Sequence, residues 1–181
     1  MPAWCSLPNA LSVSRVPLAL LAVFALLSAA PAVAMWIFAL AALTDLVDGR
    51  IARARNQATP LGGLLDHASD ATFVTAVLAA WSVRGEIPVC LPLLIPLAFM
   101  QYVLDSKALS GQRLRGSLIG RWNGVAYFVL AGVPTVRDGL GLDWPVQAWV
   151  RALAWALIAT TVLSMAERAF VFIQLRRSGT R

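Results

Sequence analysis

The stretch 45-DLVDGRIARARNQATPLGGLLDHASD-70 decides the reading of this chain, because it sets four aspartates and three arginines between long apolar segments. A carboxylate at or near a membrane costs several kcal/mol unless something neutralises it. In helical geometry Asp45, Asp48 and Ala52 fall at i, i+3 and i+7, on one face at the end of an apolar segment. Gly62, Asp66 and Asp70 fall at i, i+4 and i+8, again on one face, at the start of the next. The connection 55–60 is short, so the two helices are antiparallel neighbours and their four carboxylates converge.

The rest of the chain puts this stretch in a membrane. Of 181 residues 59% are apolar and 13% charged, whereas soluble domains sit near half and about a quarter. No charge occurs from Val16 to Thr44, and further charge-free apolar runs cover 71–83, 87–104, 122–136 and 152–166. These approach the ~20 residues that cross a bilayer. The expectation is an all-α integral membrane protein of six transmembrane helices, at roughly 10–30, 32–54, 61–83, 88–109, 120–137 and 146–174, forming one domain over 1–181. Pro31, Gly85 with Pro88, Gly139 with Gly141, and Pro145 mark the outer turns. The first apolar run is too long for a cleaved leader and further spans follow it.

Charge orients the helices. With both termini in the cytoplasm, twelve of the fifteen basic residues fall on or near the inner side and only Arg84, Arg137 and Arg151 outside. The net charge of +6 is then a topology signal first and an attraction to anionic lipid second. A pI of 10.6 also suits nucleic acid, but the arginines are scattered over helix ends without interleaved aromatics, so no nucleic-acid partner is expected. Cys5 and Cys90 fall on opposite sides and do not pair. The seven tryptophans, mostly near span ends, read as an interfacial belt.

Four converging carboxylates repel one another and raise one another's pKa. Hard divalent cations relieve this, since magnesium takes oxygen ligands and leaves positions for phosphate oxygens and water. Two such ions can clamp a diphosphate. The plainer alternative is a set of solvated helix-end charges paired with Arg50, Arg53 and Arg55, but chance pairing does not put all four acids on facing stripes. Gly49 beside the acids suits close approach of a ligand. An ion transporter would use membrane acids too, but near the midplane and on broken helices with inverted repeats. Here the acids lie at helix ends and no repeat is present.

The order Asp45, Asp48, Gly49, Ala52, Arg53, then Gly62, Asp66, Asp70 resembles the D-x-x-D-G-x-x-A-R…G-x-x-x-D-x-x-x-D signature of the CDP-alcohol phosphotransferases, also called CDP-alcohol phosphatidyltransferases, at all eight positions. The segment 8-PNALSVSR-15 is similar to that family's N-terminal P-N-x-[LI]-[ST]-x-x-R element. The resemblance implies transfer of a substituted phosphate from a CDP-linked donor, here CDP-diacylglycerol, to an alcohol, with release of CMP. It implies two magnesium (or manganese) ions on Asp45, Asp48, Asp66 and Asp70, with Asp70 also the general base. Gly49, Ala52, Arg53, Thr59 and Gly62 match nucleotide-contacting positions, with Asn9 and Ser12 bordering the pocket. It further implies a homodimer, for which Gly124 and Gly132 offer contacts, in a bacterial inner membrane with the site facing the cytoplasm.

The acceptor is less determined. Lys107, Arg113, Arg115 and Arg121 suit an acceptor that bears its own phosphate, and glycerol 3-phosphate is favoured. Positive-inside topology accounts for the same charges, and an aminoalcohol, inositol phosphate or phosphatidylglycerol stays open. His67, next to Asp66, points roughly 100° from the acid face, which suits hydrogen bonding or packing better than metal ligation.

Overall fold

The computed structural model describes residues 7–54, 59–105 and 118–178, apart from the side chains at 52, 53 and 172–178. Every element among them is helical: α1 Leu7–Leu27, α2 Pro31–Ala54, α3 Pro60–Val83, α4 Cys90–Asp105, α5 Leu118–Gly139 and α6 Gln147–Ser178. These match the six expected segments to within a few residues. Three are long and apolar enough to cross a membrane: Leu7–Leu27, Pro31–Ile51 and Gln147–Val171. Polar residues dilute α3 (Asp66, His67, Asp70) and α5 (Arg121, Asn123, Arg137, Asp138), while α4 runs for 16 residues, shorter than a full crossing.

Local chemistry sets the helix ends. Thr59 caps α3: its extended backbone (φ −118°, ψ 154°) and its Oγ1, which accepts from the Gly62 N–H, set the start, and Pro60 follows as the first helical residue. This cap fixes the rotation of α3 and hence the face on which Asp66 and Asp70 emerge. Pro31 does not lie in a turn as expected but opens α2; the turn is 28–30, where Ala29 takes a positive φ of 52°. The α3–α4 turn uses Gly85 at φ 76°, with the Glu86 N–H reaching back to the Trp81 carbonyl at 3.0 Å.

In the bundle, α1 packs on α2 and α3; α5 on α2, α3 and α6; and α4 on α3 and α6. Small side chains line the first contact, where Ala19, Ala22 and Ala25 of α1 and Ala34 and Ala41 of α2 are all buried. At the centre Phe38, Phe73 and Phe128 join α2, α3 and α5, with ring centroids 4.9–6.2 Å apart. Large apolar side chains such as Leu20, Phe24, Trp36 and Leu43 point outward, which suits a lipid surroundings rather than water.

Two expectations are corrected here. Gly132 is not a contact for a second copy: it is buried, and a Cβ there would lie 2.8 Å from the Phe38 ring, so it lets α5 approach α2 within one chain. Trp81 does not belong to an interfacial belt: it is fully buried and its Nε1 donates to Thr135 Oγ1 at 3.0 Å. At this end of α3, remote from Asp66 and Asp70, Arg84, Arg137 and Arg151 also gather. Arg137 pairs with Asp138 at 2.7 Å and Glu86 at 3.6 Å, Arg84 pairs with Asp138 at 3.4 Å, and Arg151 donates to the Gly85 carbonyl at 3.0 Å.

Overfilling the α5–α2 contact has a directional consequence. Gly132→Val should destabilise the protein by about 1–3 kcal/mol, because the Phe38 ring is boxed in by Phe73 and Phe128. Gly124→Ala, where a Cβ meets nothing within 4 Å, should not. Thermal unfolding of both variants in detergent checks the contrast.

Candidate active site

The site begins on α1. In that helix Arg15 is the only charged residue, and its side chain is fully buried, inserted between the ends of α2 and α3. Its Nη1 donates to Asp45 Oδ1 at 3.0 Å and to Asp70 Oδ1; its Nη2 donates to Asp66 Oδ1 at 2.7 Å and to Asp48 Oδ2. Each terminal nitrogen is therefore shared by one acid of α2 and one of α3. The remaining Nε–H is buried without an acceptor. All four acids expected to converge do so, around Arg15, which the sequence placed in the family's N-terminal element and counted as a topology charge but gave no role in the site.

Ser12, one turn before Arg15, is buried on the same face. Its hydroxyl lies 2.9 Å from Asp48 Oδ2, 3.2 Å from Asp66 Oδ1 and 3.2 Å from the Pro8 carbonyl. With one proton it donates to one of these at a time. Asp48 is sealed at 3% side-chain exposure, whereas Asp45, Asp66 and Asp70 keep 30–38%, and Asp45 and Asp70 border a cavity.

Carboxylate oxygens of Asp45, Asp48 and Asp66 lie within 4.8 Å of one another, and Asp70 joins them through Arg15. An all-oxygen, multiply anionic donor set that already holds a cation suits a hard divalent ion. The residues present thus fit the metal pair that the sequence implies.

Beside the acids, Asn9, Thr59 and Gly62 come together. A Cβ at Gly62 would lie 3.1 Å from Thr59 Oγ1 and 3.2 Å from Asn9 Oδ1, so the absence of a side chain keeps this corner open. Gly49 lies on α2 one residue past Asp48. The side chains of Ala52 and Arg53 fall outside the described residues, as do Lys107, Arg113 and Arg115.

On the other side of Asp45 and Asp70 a cavity of about 680 Å³ runs between α3, α4, α5 and α6. His67 lines it. The ring Nδ1 sits 2.7 Å from the Gly63 carbonyl, which only accepts, so Nδ1 carries the proton. His67 thus has the hydrogen-bonding role expected of it, but it also faces the cavity. Across from the acids the wall carries Arg121 and Arg168, and the Arg168 guanidinium lies 4.8 Å from the Tyr102 ring centroid. Asn123 Oδ1 accepts from Thr160 at 2.9 Å, and Tyr127 pairs with Thr161, so this wall is hydrogen-bonded in advance.

Arg168 was missed as a site residue, though a signal existed. Thr161, Ser164 and Arg168 form a polar stripe at i, i+3 and i+7 on α6, continuing an apolar run that begins at Ala152. Arg15 carried a similar signal, a lone charge in an apolar helix three residues after a serine.

Comparison with known proteins agrees with this geometry. The family pattern described as CDP-alcohol phosphatidyltransferase matches residues 5–165. A phosphatidylinositol phosphate synthase of Mycobacteroides abscessus is 30% identical over 143 residues, 75% of this chain and 61% of the relative. A cardiolipin synthase (CMP-forming) of Rattus norvegicus is 38% identical over 91 residues, 50% of this chain and 30% of the relative. A probable phosphatidylglycerophosphate synthase of Mycobacterium tuberculosis is 39% identical over 89 residues, 46% of this chain and 43% of the relative. In each case the match spans less than two thirds of the relative's length. With the family pattern extending from the segment before α1 into α6, and its acids gathered at one site, the chain belongs to the CDP-alcohol phosphatidyltransferase family.

Proposed function

We propose that this protein is a phospholipid-synthesising transferase that moves a phosphatidyl group from CDP-diacylglycerol to a phosphorylated alcohol, with glycerol 3-phosphate the favoured acceptor, and releases CMP. One observation carries the reading: four carboxylates converge at the mouth of a cavity whose opposite wall bears two arginines. Carboxylates that gather cations suit a diphosphate donor, and arginines across the cavity suit an anionic acceptor. The three relatives are named for different products, so they support the chemistry and leave the acceptor to the cavity wall.

In this reading Asp45, Asp48, Asp66 and Asp70 hold two divalent ions, magnesium or manganese, which supply the positive charge that binds and polarises the diphosphate. Gly49, Ala52, Arg53, Thr59, Gly62 and Asn9 receive the cytidine nucleotide, the open corner at Gly62 admitting it close to backbone. Ser12 acts one step back, orienting Asp48 and Asp66. Asp70, which borders both the acid cluster and the cavity, takes the proton of the acceptor hydroxyl. That oxygen forms a bond to the β-phosphorus while the bond from this phosphorus to the bridging oxygen breaks, and CMP departs with the electron pair. Arg121 and Arg168 hold the acceptor's phosphate, with Lys107, Arg113 and Arg115 as further candidates.

The same reading assigns six membrane-crossing helices with the acids and both termini on the cytoplasmic side of a bacterial inner membrane. A lipid donor then keeps its acyl chains among the outward-facing Leu and Phe side chains while its headgroup enters the polar cleft. A homodimer is part of the proposal, formed on faces other than the one that Gly132 occupies.

Purified protein in detergent, given CDP-diacylglycerol, magnesium and one alcohol at a time, should release CMP with glycerol 3-phosphate. Asp70→Asn should lower this release by about 10²–10⁴-fold, the usual contribution of a positioned base. Release with inositol phosphate or phosphatidylglycerol instead would keep the chemistry and change the acceptor; no release with any alcohol would overturn the reading. Arg168→Ala and Arg121→Ala should each raise KM for a phosphorylated acceptor by roughly ten- to a hundredfold, while KM for CDP-diacylglycerol stays close to wild type. Equal losses for both substrates would remove these arginines from the acceptor side.

A further inference from the structure

We propose that Arg15 is a built-in counter-cation of the acid cluster, holding the place of the divalent ions until they displace its guanidinium. This rests on the metal reading above and concerns what precedes metal loading. Four carboxylates surround one guanidinium, so a single positive charge faces up to four negative ones. The pairing makes the metal-free fold tenable, since α2 and α3 would otherwise present bare carboxylates to each other near the membrane. It also leaves the acids undercompensated, which keeps their demand for further cations high.

The guanidinium is held asymmetrically. Its four contacts all run through Nη1 and Nη2, and all go to the acids, while Nε–H is buried with no acceptor. A buried donor left unpaired is a standing cost that a structural arginine normally avoids. Arg15 is therefore positioned by attraction to the cluster and not by a full set of its own hydrogen bonds. A divalent ion entering the same oxygens carries twice the charge and competes for the same atoms.

Asp45 and Asp70, the two acids that share Nη1, border the 680 Å³ cavity, so one carboxylate on each side separates the buried guanidinium from open space, and in this proposal the displaced guanidinium moves toward that side. Two divalent ions plus Arg15 then outweigh the four carboxylates, and the surplus positive charge favours arrival of an anionic diphosphate. Metal loading and donor binding are thereby ordered: the ions free the arginine, and the freed arginine adds to the attraction for phosphate.

The test is Mn²⁺ binding, read by electron paramagnetic resonance of the free ion, on metal-stripped protein without substrate. Arg15→Gln removes the competitor and should bind Mn²⁺ roughly tenfold or more tightly than wild type, while its thermal stability in chelator falls. Equal or weaker Mn²⁺ binding by Arg15→Gln overturns the proposal and leaves the metal reading intact. If neither protein binds Mn²⁺, the metal reading itself falls. Should Arg15→Gln fail to fold, the wild type answers by side-chain NMR of arginine-labelled protein, with the Arg15 Nε signal assigned from Arg15→Lys, which keeps the charge. Saturating Mg²⁺ should shift that signal and speed its exchange with solvent; an unmoved signal overturns the proposal.

Discussion

One guanidinium joins three helices at the place where four carboxylates converge. Arg15 comes from α1, Asp45 and Asp48 from α2, Asp66 and Asp70 from α3, and all four ion pairs pass through two nitrogens. Charges in such surroundings are tolerated when paired and hydrogen-bonded, and removing one partner costs more than the pair contributes. The geometry of α1 against α2 and α3 is thus constrained from two directions. Buried alanines let the helix backbones approach, and the approach brings Arg15 into the acids; if either were altered, the other would be left unsatisfied.

The two ends of α3 handle charge differently. At the end near Trp81 every cation has partners close by: Arg84, Arg137 and Arg151 meet Glu86, Asp138, Gln147 and backbone carbonyls. That network is closed and suits a structural clamp. At the Asp66 end the acids outnumber their cation and three of them are partly exposed, two bordering the cavity. Imbalance of this kind is costly to maintain and is kept where a ligand completes it. The contrast argues that chemistry belongs to one end and stability to the other.

Much of this was legible in the sequence because two simple periodicities govern it. Charge-free runs marked all six helices, and i, i+3, i+4 spacing put Asp45, Asp48, Asp66 and Asp70 on facing stripes. Helix boundaries moved by a few residues, as at Pro31, because proline is equally at home in a turn and at a first helical position. What periodicity could not reveal were contacts across the bundle. Gly132 reads the same whether it faces a second copy or Phe38, and Trp81 reads the same at an interface or in a core. Arg15 and Arg168 were hidden by a rule that works too well, since positive-inside counting explains any arginine near a helix end. Only the third dimension separates an arginine that orients the chain from one that meets four carboxylates.

That separation bears on how the cavity is used. Its acid side and its arginine side are carried by different helix pairs, α2 with α3 and α5 with α6, and the two pairs meet through the α5 contacts on α2 and α3. In the proposed function the donor is received by the eight signature positions, next to the Thr59 cap of α3. The acceptor is received by Arg121, Arg168 and the Tyr102 ring beneath the latter, none of which lies in the signature. On that proposal, substitutions on α4, α5 and α6 change which alcohol enters without disturbing the acids. Relatives named for inositol phosphate, glycerophosphate and cardiolipin products are what such a division of labour permits.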